Sequence, residues 1–113
     1  MTDQKKLNIP ELSDVKNAHE RISPHIHCTP IVTSQFLNAK MGAELFFKCE
    51  NFQKAGAFKV RGASNAVFGL DDATAGKGVA THSSGNHALS LSYAAGRRGI
   101  PCTVVMPRTA PQA

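Results

Sequence analysis

Apolar residues recur at three- and four-residue steps early in the chain, at Leu12, Val15, Ala18, Ile22 and Ile26. That spacing predicts an amphipathic helix over roughly residues 10–25. Pro10 suits its first turn, Glu11 and Asp14 suit its positive end, and Pro24 closes it or sits in a last irregular turn. Cys28-Thr29-Pro30 reads as extended, because the residue before a proline avoids the helical region. Ser34 can cap a short helix running to Lys40, with Gly42 as its stop. Residues 44–49 read as a strand with Leu45, Phe46 and Phe47 as its apolar core, and residues 52–56 as a turn.

The second half has a different rhythm. Ala63, Ala66, Val67 and Leu70 share one side of a helix predicted over residues 58–70. The polar stretch 71–77 reads as a loop. Gly78-Val79-Ala80-Thr81 is a short apolar strand, residues 86–98 form a helix rich in Ala, Leu and Ser, and Gly99 stops it. A last strand follows Pro101, with Cys102 to Met106 as its core. Strand, helix and strand from Gly78 to Met106 make one βαβ unit, expected to be parallel. The fold class is therefore α/β, an incomplete three-layer parallel-sheet arrangement. Three predicted strands are too few to finish such a sheet, which needs both faces covered. The expectation is that the chain is the beginning of a larger protein.

Composition narrows the function classes. The chain has 113 residues, 42% of them hydrophobic, enough for one small domain. The polar residues 1–6 are expected to be loose. No apolar run reaches spanning length, and the N-terminus lacks the apolar segment of a secretory signal, so a cytoplasmic protein without membrane contact is expected. Lys and Arg number 13 against 8 Asp and Glu, a net charge of +5. These cations are scattered, and one Tyr with no Trp leaves little for base stacking, which argues against nucleic acid. A basic chain also suits an anionic cofactor or substrate. Cys28, Cys49 and Cys102 sit in apolar sequence surroundings, are odd in number and lack metal spacing; buried free thiols are expected. His25, His27 and Cys28 lack a fourth ligand at a recognised spacing, so no metal site is assigned.

Two strings carry candidate chemistry. Lys59 lies in Gly56-Ala57-Phe58-Lys59-Val60-Arg61-Gly62-Ala63, at the predicted start of a helix among small and apolar neighbours. Lysine is the usual Schiff-base former, and an amine in an apolar pocket at a helix start is disfavoured in its charged form. The second string is Ser83-Ser84-Gly85-Asn86-His87, between a predicted strand and helix. Open α/β sheets bind ligands at that edge, and a helix start favours an anion. Capping by Ser84 or Asn86 would account for one of these residues, not five. Arg61 reads as an exposed helix residue or an ion-pair partner rather than a phosphate ligand. His82 and His87 could act as acid or base, although His82 serves equally well as a structural hydrogen-bonding group.

At these strings the chain resembles the serine/threonine dehydratase and serine racemase family, pyridoxal-phosphate enzymes of the tryptophan-synthase-β type (fold type II). The resemblance rests on His27-Cys28-Thr29-Pro30, Leu45-Phe46-Phe47-Lys48-Cys49-Glu50 and Phe52-Gln53-Lys54. It continues through Phe58-Lys59-Val60-Arg61-Gly62-Ala63, His82-Ser83-Ser84-Gly85-Asn86-His87 and Gly99-Ile100-Pro101. It implies that Lys59 holds pyridoxal 5'-phosphate through its amine and moves the α-proton. Phe58 would lie beside the cofactor ring and Asn86 would bond its hydroxyl. Ser83, Ser84, Gly85, Asn86 and His87 would form the substrate-carboxylate turn, and Ser84 matches the second acid/base of the racemases.

The resemblance also implies a division at about Lys77. Residues 1–77 would belong to a larger cofactor-binding domain, and residues 78–113 would form the first βαβ unit of a smaller one. The implied reaction is loss of water from L-serine or L-threonine to a 2-oxo acid and ammonia, with serine racemisation and 3-hydroxyaspartate dehydration as alternatives. The partner would be a small hydroxy amino acid, and the intact enzyme a homo-oligomer. Ala57 stands where serine is commoner in this family, which removes a hydroxyl near the cofactor. The family's glycine-rich phosphate loop has no counterpart here, nor do its pyridine-nitrogen partner and its acidic cation ligands. An isolated chain of 113 residues that holds no cofactor is therefore a rival expectation.

Overall fold

The computed structural model describes residues 9–110; the polar stretch 1–6 lies outside them. The first helix, α1, covers Leu12–Ile22, and the Glu11 N–H that opens it donates to Asp14 Oδ2 at 2.8 Å. Where the periodicity suggested one helix through residue 25, the chain tightens into a 3₁₀ turn at Ser23–His25. Proline explains the change. Pro24 has no N–H to continue the ladder, and the Ser23 hydroxyl donates to the Glu20 carbonyl at 3.2 Å. Only Ile22 of this helix is buried.

A two-residue strand, β1 (Ile31–Val32), pairs antiparallel with β2 (Phe47–Lys48), Ile31 opposite Lys48 and Val32 opposite Phe47. Between them lies α2, Gln35–Met41. Ser34 Oγ accepts from the Leu37 N–H at 3.3 Å, and Gly42 at φ 62° ends the helix, as the sequence suggested. Two expectations fail here. The strand read over residues 44–49 shrinks to two residues, and Phe46 and Phe47 are 70% and 42% exposed rather than core. The physical reason is that β2 has one short partner, so neither of the two sides onto which these adjacent rings point is covered well enough among the described residues to bury them.

The remaining elements are α3 (Lys59–Phe68), a single helical turn α4 (Asp72–Ala75), β3 (Val79–His82), α5 (Asn86–Arg98) and β4 (Cys102–Val105). The stretch read as a loop at 71–77 contains α4 because Asp71 caps it. Asp71 accepts from the Thr74 N–H at 2.8 Å and from the Thr74 hydroxyl at 2.7 Å. β3 and β4 run parallel, in register from Val79–Cys102 to His82–Val105. Ala63 and Val67 of α3 pack on Leu91 and Ala94 of α5, with Val79, Ile100 and Cys102 against them. Small side chains let the two helices approach. Gly78 is required at its position. It lies at φ 83°, and a β-carbon there would sit 2.7 Å from the Pro101 carbonyl oxygen. Arg98, in the last turn of α5, ties the end of α3 by donating to the Val67 carbonyl and to the Leu70 carbonyl at 2.8 Å, and it pairs with Asp72 at 3.0 Å.

Candidate active site

Lys59 is the first residue of α3, and its position is prepared by the turn before it. Ala55 and Gly56 lie at φ 58° and 66°, two left-handed residues in succession that reverse the chain after Gln53. Ala57 and Val60 are buried, whereas Phe58 and Lys59 stay exposed. The amine lies 5.3 Å from the centroid of the Phe58 ring, a cation–π arrangement. The apolar pocket expected around Lys59 is thus an aromatic face on one side and solvent on the other.

The second string follows β3 directly. The Ser83 N–H donates to the Val105 carbonyl at 3.0 Å, which extends the parallel ladder by one residue. The Ser83 hydroxyl accepts from the Gly85 N–H at 3.3 Å and closes the turn. Neither Ser84 nor Asn86 caps α5. The cap residue is Gly85, which has no side chain to accept, and no other side chain among the described residues accepts from the helix's first N–H groups. Those donors and the helix dipole face an open end, which suits an anion. His82, Ser83 and Ser84 line a cavity of about 380 Å³ with Val105, Met106 and Pro107, at the carboxyl ends of the two parallel strands.

The structure brings some of the sequence-selected residues together and leaves others apart. Phe58 and Lys59 are neighbours, and Ser83 and Ser84 share a cavity. His87, in the first turn of α5, lines an apolar cavity of about 320 Å³ with Gly62, in the first turn of α3, so the two helix starts lie on one side of the molecule. Lys59 and Asn86 line neither cavity. Cys28 is exposed rather than buried, and Cys49 and Cys102 are half-buried, all as free thiols. Cys28 differs from expectation because it borders a cavity of about 370 Å³ with His19, His27, Lys48 and Arg61.

Arg61 is an ion-pair partner. Its Nε and Nη2 donate to Glu50 Oε2 and Oε1 at 2.8 and 2.7 Å. Glu50 Oε1 also accepts from the Thr29 hydroxyl at 2.5 Å. The Arg61 hydrogen bonds hold the Glu50 carboxyl at about 2, well below its ordinary 4.5 and against the upward push of partial burial. Gln53 is a second polar joint. Its amide exchanges two 2.8 Å hydrogen bonds with the His27 backbone. Tyr93 donates to the His25 carbonyl at 2.8 Å, and the His25 ring stacks on Phe68 at 3.7 Å. Composition and periodicity assign no structural role to Glu50, Gln53 or Tyr93. The available signal for Glu50 and Gln53 is a carboxylate and an amide soon after the apolar Leu45-Phe46-Phe47; Tyr93 has none.

Comparison with known proteins supplies the family. The family model described as pyridoxal-phosphate dependent enzyme matches residues 22–113. The beta-hydroxyaspartate dehydratase of Paracoccus denitrificans is 75% identical over 107 residues, covering 95% of this chain and 34% of that protein. The serine racemase of Arabidopsis thaliana is 57% identical over 102 residues, covering 90% of this chain and 31% of that one. The crystal structure of serine racemase from Dictyostelium discoideum superposes with a TM-score of 0.86 at 54% identity, covering 88% of this chain and 33% of that one. The chain thus spans about a third of the length of these relatives. It belongs to the pyridoxal-phosphate-dependent enzymes of fold type II, the group that includes serine racemases and hydroxyaspartate dehydratases.

Proposed function

We propose that this chain supplies the cofactor lysine and the carboxylate-holding turn of a dehydratase that removes water from a 3-hydroxy amino acid, leaving a 2-oxo acid and ammonia. The observation that carries this reading is Lys59: an exposed amine on the first residue of α3, beside an aromatic face, with the start of α5 on the same side of the molecule. The donor set fits one part of pyridoxal phosphate. A free amine suits its aldehyde, the Phe58 ring suits its flat face, and the Asn86 side chain offers a donor for its hydroxyl. For its phosphate, no glycine-rich run is present among the described residues.

The cofactor, when bound, supplies the electron sink for the bond that breaks at the α-carbon. The protein's own tasks are more local. Lys59 Nζ takes the α-proton. Ser83, Asn86 and His87, with the uncapped N–H groups at the start of α5, hold the substrate carboxylate and so fix which bond faces the amine. Elimination needs no second acid on the opposite face of the α-carbon: the α-proton goes to Lys59, the hydroxyl on the neighbouring carbon takes up a proton and leaves as water, and a water then hydrolyses the enamine to the 2-oxo acid and ammonia.

Within this reaction class, the 75% identity to a beta-hydroxyaspartate dehydratase favours 3-hydroxyaspartate over L-serine and L-threonine. A second reading, serine racemisation, draws on the racemase relatives and on Ser84, whose Oγ would carry the second proton. The intact protein is taken to be a homo-oligomer with residues 1–77 and 78–113 in two domains. Among the described residues no helix is long and apolar enough to cross a membrane.

The test is an assay of the intact protein that carries this chain, with L-threo-3-hydroxyaspartate, L-serine and L-threonine offered separately. Ammonia release is expected, greatest with 3-hydroxyaspartate, and abolished by Lys59→Ala. Racemisation without ammonia release would favour the second reading. Turnover that persists in Lys59→Ala would overturn both.

A further inference from the structure

Lys59 projects from a turn that is gripped from behind. Residues two apart on a helix do not share a face, so Arg61 points away from the Lys59 side. It reaches Glu50 through two parallel hydrogen bonds at 2.7 and 2.8 Å. Glu50 in turn receives Thr29, which is only 3% exposed. The Thr29 carbonyl takes the Lys48 ammonium at 2.5 Å, and the Pro30 carbonyl takes the Cys49 N–H at 3.0 Å. Gln53 fastens the same segment through His27, and its Oε1 also accepts the Lys54 N–H at 2.9 Å. Residues 27–30, the end of β2, the turn at 53–57 and the first turn of α3 therefore form one bonded block. Glu50 is where its strand side meets its helix side. The Lys48 and Arg61 cations that border the 370 Å³ cavity are already partnered, so they serve this block rather than an open anion site.

We propose that Glu50 is a positioning residue for Lys59. Its carboxylate anchors the first turn of α3 on the side away from the amine, and this delivers Nζ to one place rather than to a range of places. The inference rests on the reading of Lys59 as the cofactor lysine. A fork held at both carboxylate oxygens fixes direction as well as distance, which a single contact to a flexible lysine would not. Small misplacement of a reacting group is costly, so loosening this turn is expected to slow covalent capture at Lys59 without unfolding the chain.

The experiment uses the intact protein that carries this chain, pyridoxal phosphate and borohydride. Peptide mapping reads the label at Lys59 relative to Lys77 within one digest, and visible circular dichroism reads the orientation of the bound ring. Glu50→Gln keeps size and removes charge. It is expected to lower the Lys59-to-Lys77 ratio by about tenfold and to weaken the visible dichroism while the far-ultraviolet spectrum stays native. Arg61→Lys, which keeps charge but loses the fork, is expected to act in the same direction. Thr29→Val, which removes one of Glu50's three hydrogen bonds, is expected to act the same way but less strongly, and it serves if Glu50→Gln does not fold. Val67→Ala, a core change remote from this block, is expected to lower stability and leave the ratio unchanged. A folded Glu50→Gln or Thr29→Val protein with the wild-type ratio and dichroism overturns the proposal. An unmodified protein that takes no label at Lys59 overturns the functional reading along with it, so the two failures are distinguishable.

Discussion

The two halves of the chain are built by different physics. From Lys59 onward, α3, β3, α5 and β4 close on one another through Ala63, Val67, Leu91 and Ala94, and the backbone turns are fixed by glycines at φ 83° and 73°. Before Lys59, Ile22 is buried but most of the large apolar side chains are left uncovered: Ile31, Phe36, Phe46 and Phe52 are each more than 60% exposed. That half is instead held by polar joints, with Glu50 between Thr29 and Arg61 and Gln53 on His27. The lysine sits on the seam. A helix whose inner side is packed and whose outer side is tied by an ion pair can leave one amine exposed and still confined.

Substitutions in the two halves should therefore fail differently. The largest effect is expected at Gly78. Alanine there meets both a left-handed backbone and a carbonyl oxygen at 2.7 Å, so Gly78→Ala should cost about 3 kcal/mol in a denaturant melt. Val67→Ala, a fully buried site, should cost roughly 2 kcal/mol through lost burial and the residual cavity. Both should lower stability without changing where a pyridoxal label lands.

Glu50→Gln should cost about 2 kcal/mol, since hydrogen bonds to a charged group exceed the neutral average. This loss alone should depend on pH. The Glu50 carboxyl lies at about 2 in the folded chain against an ordinary 4.5. Its contribution is complete above the ordinary value and disappears as pH falls from 4.5 towards 2. Urea midpoints of the parent and Glu50→Gln chains, measured between pH 6 and about 2.5, should draw steadily closer towards the acid end. A constant gap across that range would contradict the ion-pair account. The smallest effect, about 1 kcal/mol, is expected for Ser34→Ala, which removes one helix cap in the open half; a thermal melt reads it.

The legibility of the sequence follows the same division. Helix α5 was readable because its stop, Gly99, and its run of small residues are local signals, and the parallel pairing of β3 with β4 followed from the helix between them. The one-turn helix α4 was missed because its cap, Asp71, sits in a stretch whose polarity reads as loop. The strand β1 was missed because two residues after a proline have no periodicity. Phe46 and Phe47 look like core in the sequence and stand exposed in the fold, because hydrophobicity reports what a side chain prefers, not whether a neighbour is present to cover it. At the proposed site, Lys59 and Ser83 to His87 are candidates by residue type and local context. Glu50 could not, because its importance lies in a pairing across eleven residues that only the fold creates.

Lys59 as the cofactor lysine is tested most sharply by mapping pyridoxal phosphate, fixed by borohydride, onto the peptides of the intact protein. A single dominant label is expected on the peptide bearing Lys59, and its loss in Lys59→Ala. Label spread evenly over the lysines, or concentrated on another, would contradict it.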